Sequence, residues 1–163
     1  MNMTCRYCKK DPKAFMLIPE GLEAVDVNQS PFACFDCAIR EGILCVKHNR
    51  AHQCFGLGKH ACWGCVDEAR QHLAPHTERV LALVLKLLER LPKDLRVQFF
   101  EQGAIDVAPV GGGKGRICFE FLAREIAINK LDPGEFVKKY FLENREQGEI
   151  FALLKPFPRH VGA

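Results

Sequence analysis

Four pairs of potential metal ligands, each pair separated by two residues, constrain how this 163-residue chain can fold. Three pairs are Cys-x2-Cys and one is Cys-x2-His. Two side chains at this spacing reach one ion from a single tight turn, so four pairs complete two closed tetrahedral sites. The sequence therefore predicts two Zn²⁺ ions as cofactors. The predicted ligands are Cys5, Cys8, Cys34, Cys37, Cys45, His48, Cys62 and Cys65.

The cysteine content favours metal thiolates over disulfide bonds. The chain has nine cysteines, an odd number, and residues 1–5 lack the apolar core of a secretion signal. Metal-binding thiols indicate a reducing compartment, so we expect a cytoplasmic protein. Hydrophobic residues make up 48% and charged residues 26%, as in folded domains. No apolar run approaches the ~20 residues that span a bilayer, so no membrane partner is predicted.

The elements around the ligand pairs follow a repeated order. Residues 5–8 predict a knuckle, residues 15–18 and 23–27 two strands joined by a turn at 19–21, and Cys34 and Cys37 a short helix that stops at Gly42. Residues 45–48 repeat the knuckle, and the pair Cys62 and Cys65 opens a second helix over 66–73. A helix N-terminus stabilises thiolates. This order resembles the treble-clef zinc finger, which implies a structural zinc fold and leaves the function open.

The four pairs can share their ions in two ways. In a sequential arrangement the first two pairs bind one ion and the last two bind the other. In a cross-braced arrangement, as in RING and FYVE domains, alternate pairs share an ion. The chain resembles a RING in having four pairs with one histidine, but seven residues separate Cys37 from Cys45, where a RING has about two. We favour the sequential arrangement, because each half has its own knuckle and helix.

A third zinc site is an open alternative. The late histidines resemble the closing ligands of a B-box, which implies a further ion held by Cys54, His72, His76 and either His52 or His60. In the alternative that we favour, His72 lies on an exposed helix face, His76 lies in a linker, and Cys54 is a small buried side chain.

The composition changes near Pro75, and we predict a domain boundary there. Residues 1–75 form a double zinc-finger region, and residues 76–163 form a small all-α domain, so the fold class is α+β. Helices are predicted over 77–91, with Thr77 as N-cap, and over 94–102, 116–130, 132–144 and 149–155. The glycine-rich loop at 110–116 fails the phosphate-loop pattern, but its Lys114 and Arg116 are candidate phosphate contacts.

The closed ligand sets disfavour catalysis, which needs an open position on the metal, so no catalytic residue is predicted. Between Cys45 and Cys62 the chain has Lys47, Arg50 and Lys59 and no acidic residue. This segment predicts a non-catalytic, nucleic-acid-binding regulatory factor or complex subunit. The net charge of +3 falls to about zero once zinc thiolates are counted, which weakens the prediction. The alternative is a protein-interaction module, such as a RING-like adaptor or ubiquitin-ligase component.

Overall fold

The computed structural model describes residues 4–11, 14–19, 29–55, 59–143 and 150. Within these ranges, short antiparallel strand pairs precede a series of helices, so the chain is an α+β protein. It divides into two compact units, Met1–Cys65 and Val66–Ala163. The boundary near Pro75 that composition suggests stays a prediction. Within the described residues, no helix combines the length and apolar character needed to cross a bilayer.

The first unit begins with a module that we define as residues 4–42. Strand β1 (Phe15–Leu17) pairs antiparallel with β2 (Phe32–Cys34), and β2 leads directly into helix α1 (Phe35–Arg40). The helix ends as predicted at Gly42, whose φ of +74° lies in the left-handed region that glycine tolerates. The strand predicted at 15–18 is confirmed. The strand and turn predicted over 19–27 fall largely outside the described residues, and β2 was not predicted because three residues are too few to show alternation.

A small apolar core supports the first module. It combines two cysteines with Ile18 after β1, with one side chain each from β2 and α1, and with Ile43 and Leu44 after α1, so the core and the cysteine cluster are built together. Tyr7 and Met16 pack against its edge. Its buried members are Cys5, Ile18, Ala33, Cys37, Ala38, Ile43 and Leu44.

The second module, residues 43–65, repeats the pattern with shorter strands. Strand β3 (Leu44–Cys45) pairs with β4 (Arg50–Ala51), and β5 (Gln53–Cys54) pairs with β6 (His60–Ala61), both antiparallel. A turn with Asn49 at φ +52° joins the first pair. Helix α2 (Trp63–Leu73) follows β6 after one residue and extends three residues further toward the N-terminus than predicted, since residues 63–65 are already helical.

The second unit contains the remaining helices. They are α3 (Thr77–Glu89), α4 (Lys93–Val107), α5 (Lys114–Ile128) and α6 (Pro133–Val137), the last continuing as a π-helical turn, Lys138–Leu142. Short 3-10 turns, Ala74–His76 and Ala108–Val110, precede α3 and follow α4. Helix α5 packs against both α3 and α4. Its inward face is among the most buried in the chain, with Cys118, Leu122, Ala123 and Ile126 fully enclosed.

Several helix boundaries differ from the predictions. Helix α4 was expected to end at Gly103 but runs through it to Val107. A Cβ at Gly103 would lie 2.4 Å from Cγ2 of Ile117, so glycine lets α4 and α5 approach closely. His76, not Thr77, is the N-cap of α3. Asp132 caps α6 as predicted, because its carboxylate accepts a 2.9 Å hydrogen bond from the Glu135 amide.

A buried carboxylate that sequence reasoning missed lies within the second unit. The side chain of Glu120 is almost fully buried, and it accepts hydrogen bonds from Nε and Nη2 of Arg70, the latter at 2.8 Å. Nη2 of Arg116 lies 3.0 Å from its other oxygen, and Arg70 also pairs with Asp67. Burial alone would lower the pKa of Arg70, but the bonds to Glu120 raise it. The network ties α2 to α5.

Candidate metal centres

The first cluster brings together two ligand pairs that lie far apart in sequence. The ligand atoms of Cys5, Cys8, Cys34 and Cys37 all lie within 4.8 Å of one another. The first pair lies on a knuckle closed by a 3.0 Å hydrogen bond from the Lys9 amide to the Cys5 carbonyl. The second pair lies at the start of α1, where free amide groups favour thiolates. The element order of the module is therefore what assembles this site.

The second cluster has the dimensions of a tetrahedral metal site. Nδ1 of His48 lies 3.5, 3.3 and 3.5 Å from the sulfur atoms of Cys45, Cys62 and Cys65. The sulfur of Cys65 lies 3.7 Å from that of Cys45 and 3.5 Å from that of Cys62. Zinc bonds of ordinary length at tetrahedral angles give edges of about 3.8 Å between sulfurs and about 3.6 Å from sulfur to nitrogen. The four atoms therefore surround a point suited to one ion.

None of these cysteines forms a disulfide bond. All nine cysteines are in the reduced form. The shortest sulfur–sulfur distance given above, 3.5 Å between Cys62 and Cys65, far exceeds the ~2.05 Å of a disulfide bond. The clusters therefore represent sets of ligands and not oxidised pairs.

Close packing positions the one histidine ligand. A Cβ built on Gly64, in the first turn of α2, would lie 2.6 Å from Cγ of the His48 imidazole. The ring can approach the helix only because this residue has no side chain. The Cys65 amide also donates a 3.3 Å hydrogen bond to the Cys62 sulfur. The Cys-Trp-Gly-Cys sequence thus supplies two ligands, one amide donor and the space for a third ligand.

The thiols of the first cluster differ in acidity. Burial opposes ionisation of Cys5, but hydrogen bonds from the backbone at Cys8 and Cys34 outweigh it and lower its pKa to about 6. The pKa of Cys37 is raised to about 12, by its side-chain contact with Cys34, by burial and by the charge on Cys5. The Cys5 thiol therefore ionises readily, while the neighbouring Cys37 thiol resists ionisation. A bound divalent cation would remove that resistance, since it offsets the repulsion between thiolates.

The second cluster also combines one thiol of lowered pKa with one of raised pKa. Burial would raise the pKa of Cys45, but hydrogen bonds from the His48 side chain and backbone lower it to about 7. Burial and contacts with Cys62 and Cys45 raise the pKa of Cys65. The donor set, soft sulfur with one imidazole nitrogen, matches zinc, which is bound in structural sites by such combinations.

A cation outside the first cluster contacts one of its ligands. Nη2 of Arg40, at the end of α1, lies 3.3 Å from the Cys37 sulfur and can donate a hydrogen bond to it. The charge on Cys37 is the largest cause of a raised pKa for Arg40, followed by its bond to Glu41. Since Arg40 is itself exposed, it provides a modest electrostatic stabilisation of the thiolate.

The two clusters confirm the sequential arrangement of ligand pairs. Each cluster combines neighbouring pairs, so the cross-braced alternative of RING and FYVE domains is wrong for this chain. The sequence favoured this arrangement because each half has its own knuckle and helix, and the long spacing between Cys37 and Cys45 departs from that of a RING.

The residues considered for a third ion do not form a cluster of three or more ligands. Within the described residues, only the two clusters above bring three or more metal-binding side chains together. His52 is buried and stacks on His60, with 5.4 Å between ring centroids. Cys54 is exposed on β5, which corrects the expectation that it is buried. His72 is exposed as expected, and His76 is half-buried, 5.8 Å from the Phe141 ring.

The candidate phosphate contacts fall into two groups. Lys47 and Arg50 are exposed on the second module, and Lys59 is half-buried there. Lys114 and Arg116 instead lie in the first turn of α5. Nζ of Lys114 lies 5.1 Å from the Phe100 ring centroid, and Arg116 pairs with buried Glu120, so both cations already have partners within the second unit.

Comparison of the chain with protein-family models, with curated proteins and with solved structures finds no match.

Proposed function

We propose that the protein binds two structural Zn²⁺ ions, one in each module. The sulfur and imidazole donors, their tetrahedral spacing and their closed four-ligand sets support this proposal. Both modules place a knuckle and a strand pair before a helix that carries the second ligand pair, and on this basis we assign them to the treble-clef type. Metal analysis of protein purified without added zinc should give about two ions per chain; a value near zero would contradict the assignment.

We further propose that the protein is non-catalytic and binds nucleic acid through the second module. Catalysis at zinc needs a ligand position open to water, and four protein ligands leave none. The observation that carries the binding role is the exposure of Lys47 and Arg50 on a segment that has no acidic residue between Cys45 and Cys62. Cations on a segment without acidic residues attract phosphates and release the counterions around them.

Substitution of two cations tests the binding role. Arg50→Ala with Lys59→Ala should weaken binding similarly across nucleic-acid sequences and lower the salt slope by about one unit per lost contact. The matched control removes the same charge from exposed positions of the second unit, as Arg79→Ala with Lys93→Ala. If both double variants weaken nucleic-acid binding equally, binding depends on the net charge of the protein and not on the second module. Both proteins should retain two zinc ions, because none of these residues is a ligand.

A protein partner is the second candidate, and one observation favours it. The first unit exposes apolar side chains, among them Leu17 at 62% and Val46 at 70%. Exposed apolar groups occur at protein interfaces more than at phosphate-binding surfaces. If this candidate is right, the intact zinc-loaded protein shows no affinity for nucleic acid at low salt and co-purifies with a protein after nuclease treatment.

A further inference from the structure

We infer that the second module recognises a single-stranded polynucleotide, with an unpaired base stacked on the indole ring of Trp63. This inference rests on the proposed nucleic-acid-binding function. It adds that the bound form is single-stranded. The chemistry required is an exposed aromatic ring, cations beside it for the phosphates, and no element suited to a duplex groove.

The second cluster joins the chain segments that carry the aromatic ring and the cations. The Nδ1 atom of His48 and the sulfur of Cys62 lie 3.3 Å apart. Lys47 directly precedes the first of these ligands, and Trp63 directly follows the second. Arg50 lies on β4, directly opposite the ligand Cys45 on β3. The cluster therefore anchors the backbone segments that carry Trp63, Lys47 and Arg50 around a common centre.

The Trp63 ring is supported and partly exposed. It is 38% exposed, and the Phe55 ring packs edge to face against it, 5.2 Å between centroids with 79° between planes. The Phe55 amide donates a 2.8 Å hydrogen bond to the Lys59 carbonyl, so a third basic residue lies on the same hairpin. A ring held in place on a module that also carries exposed cations suits a base and its flanking phosphates, since every base offers a stacking face.

Neither of the two helices that follow the strand pairs, α1 and α2, is suited to the major groove of a duplex. A helix that reads this groove presents polar and basic side chains along its outer face. The exposed positions of α2 include Asp67, Gln71 and His72, and its arginine, Arg70, is engaged with acidic partners. Helix α1 has only six residues, and its arginine pairs with Glu41 and a ligand sulfur. The basic surface lies on loops and short strands, which suits a flexible single strand.

The single tryptophan makes this inference directly measurable. Trp63 is the only tryptophan in the chain, so its emission reports on stacking without background. The zinc-loaded full chain is titrated at low salt with a 12-nucleotide RNA of mixed sequence, with DNA of the same sequence, and with the DNA duplex. Emission should be quenched by the single strands, which should bind at least about tenfold more tightly than the duplex. The RNA and DNA arms show which sugar is preferred.

Substitutions of the ring provide the second measurement, using labelled oligonucleotides. Trp63→Leu should weaken single-strand binding by about five- to a hundredfold, and Trp63→Phe should retain most of the affinity. Phe35 occupies the equivalent position in the first module and is similarly exposed, but Asp36 follows it. Phe35→Leu is therefore the matched control and should change affinity by less than about twofold.

The outcomes separate this inference from the proposed function. Equal or tighter binding of the duplex, or full affinity in Trp63→Leu with both ions retained, would overturn the single-strand inference and leave nucleic-acid binding intact. The absence of binding to any of the three probes would overturn the proposed function and this inference with it. If Trp63→Leu loses an ion, two other measurements test the inference. Quenching of the unsubstituted protein by the single strands, with most of the affinity retained in Trp63→Phe, would support stacking on the ring. No quenching would overturn it.

Discussion

The imidazole of His48 packs so closely on Gly64 that a Cβ there would lie 2.6 Å from Cγ of the ring. A glycine in the interior of a helix ordinarily costs stability, and here its lack of a side chain is what lets the histidine reach the metal cluster. We therefore expect Gly64→Ala to reduce zinc content from two ions to about one, because the ring must move from the other ligands. Metal analysis measures this directly. Gly112→Ala is the control, since a Cβ there meets no atom within 4 Å; two ions in Gly64→Ala would show that the ring adapts.

A second glycine pair tests helix packing. Gly103→Ala should lower the free energy of unfolding by about 1–2 kcal/mol, because the new methyl group overlaps the Ile117 side chain. The loss is smaller than overpacking alone would give, because alanine favours the helix by up to about 1 kcal/mol. Gly115→Ala, on α5 with open space around it, should be neutral or slightly stabilising. Denaturant unfolding of both variants gives the comparison, and equal effects would argue against the close approach of α4 and α5.

Removal of metal should affect the two units differently. The first unit has short strands and a small apolar core, so metal binding contributes much of its folding free energy. Chelation should therefore abolish hydrogen-exchange protection across the described parts of residues 4–65. Helices α3 and α5, with their own buried apolar faces, should keep theirs. Uniform loss along the chain would instead mean that both units unfold together.

Neutralisation of Glu120 should remove the buried counter-charge that its two arginine partners share, although Arg70 keeps its pairing with Asp67. Glu120→Gln keeps the size of the side chain but removes the charge that Arg70 and Arg116 share. We expect a destabilisation of about 1–3 kcal/mol, below the range for fully buried pairs because both arginines are partly exposed. Thermal unfolding in low and high salt measures it. A variant as stable as the parent protein would indicate that the network contributes nothing net.

The buried thiol of Cys118 predicts a loss of stability at alkaline pH. Burial raises its pKa from 9.0 to about 11, although Lys114 acts in the opposite direction. Between pH 9 and 11 the unfolded chain releases this proton while the folded chain retains it, so folding becomes less favourable as the pH rises. Cys118→Ala should flatten this part of the stability curve relative to its own value at pH 7. Labelling offers a second measurement: at pH 8 the native thiol should react slowly and the denatured thiol quickly.

The sequence predicted the metal clusters well because their chemistry is local. A ligand pair two residues apart constrains its own turn, and the distance between Cys37 and Cys45 favoured the sequential arrangement that the structure confirms. The strand β2 and the course of α4 through Gly103 were not predictable in this way, since both depend on partners distant in the chain. The buried Glu120 was missed for the same reason: periodicity places it on α5 but cannot show that Arg70, fifty residues earlier, reaches it.

If the clusters bind metal as proposed, the sequential arrangement of ligands also affects how the protein acquires it during synthesis. All four ligands of the first cluster precede residue 38, and the second set begins only at Cys45. A nascent chain emerging from the ribosome therefore exposes a complete site before the next one starts. The first ion can be captured, and its module folded, while the second set is still being made. An interleaved arrangement would leave the thiols of Cys5 and Cys8 without partners until Cys45 had been made, whereas in this chain Cys34 and Cys37 complete their set earlier.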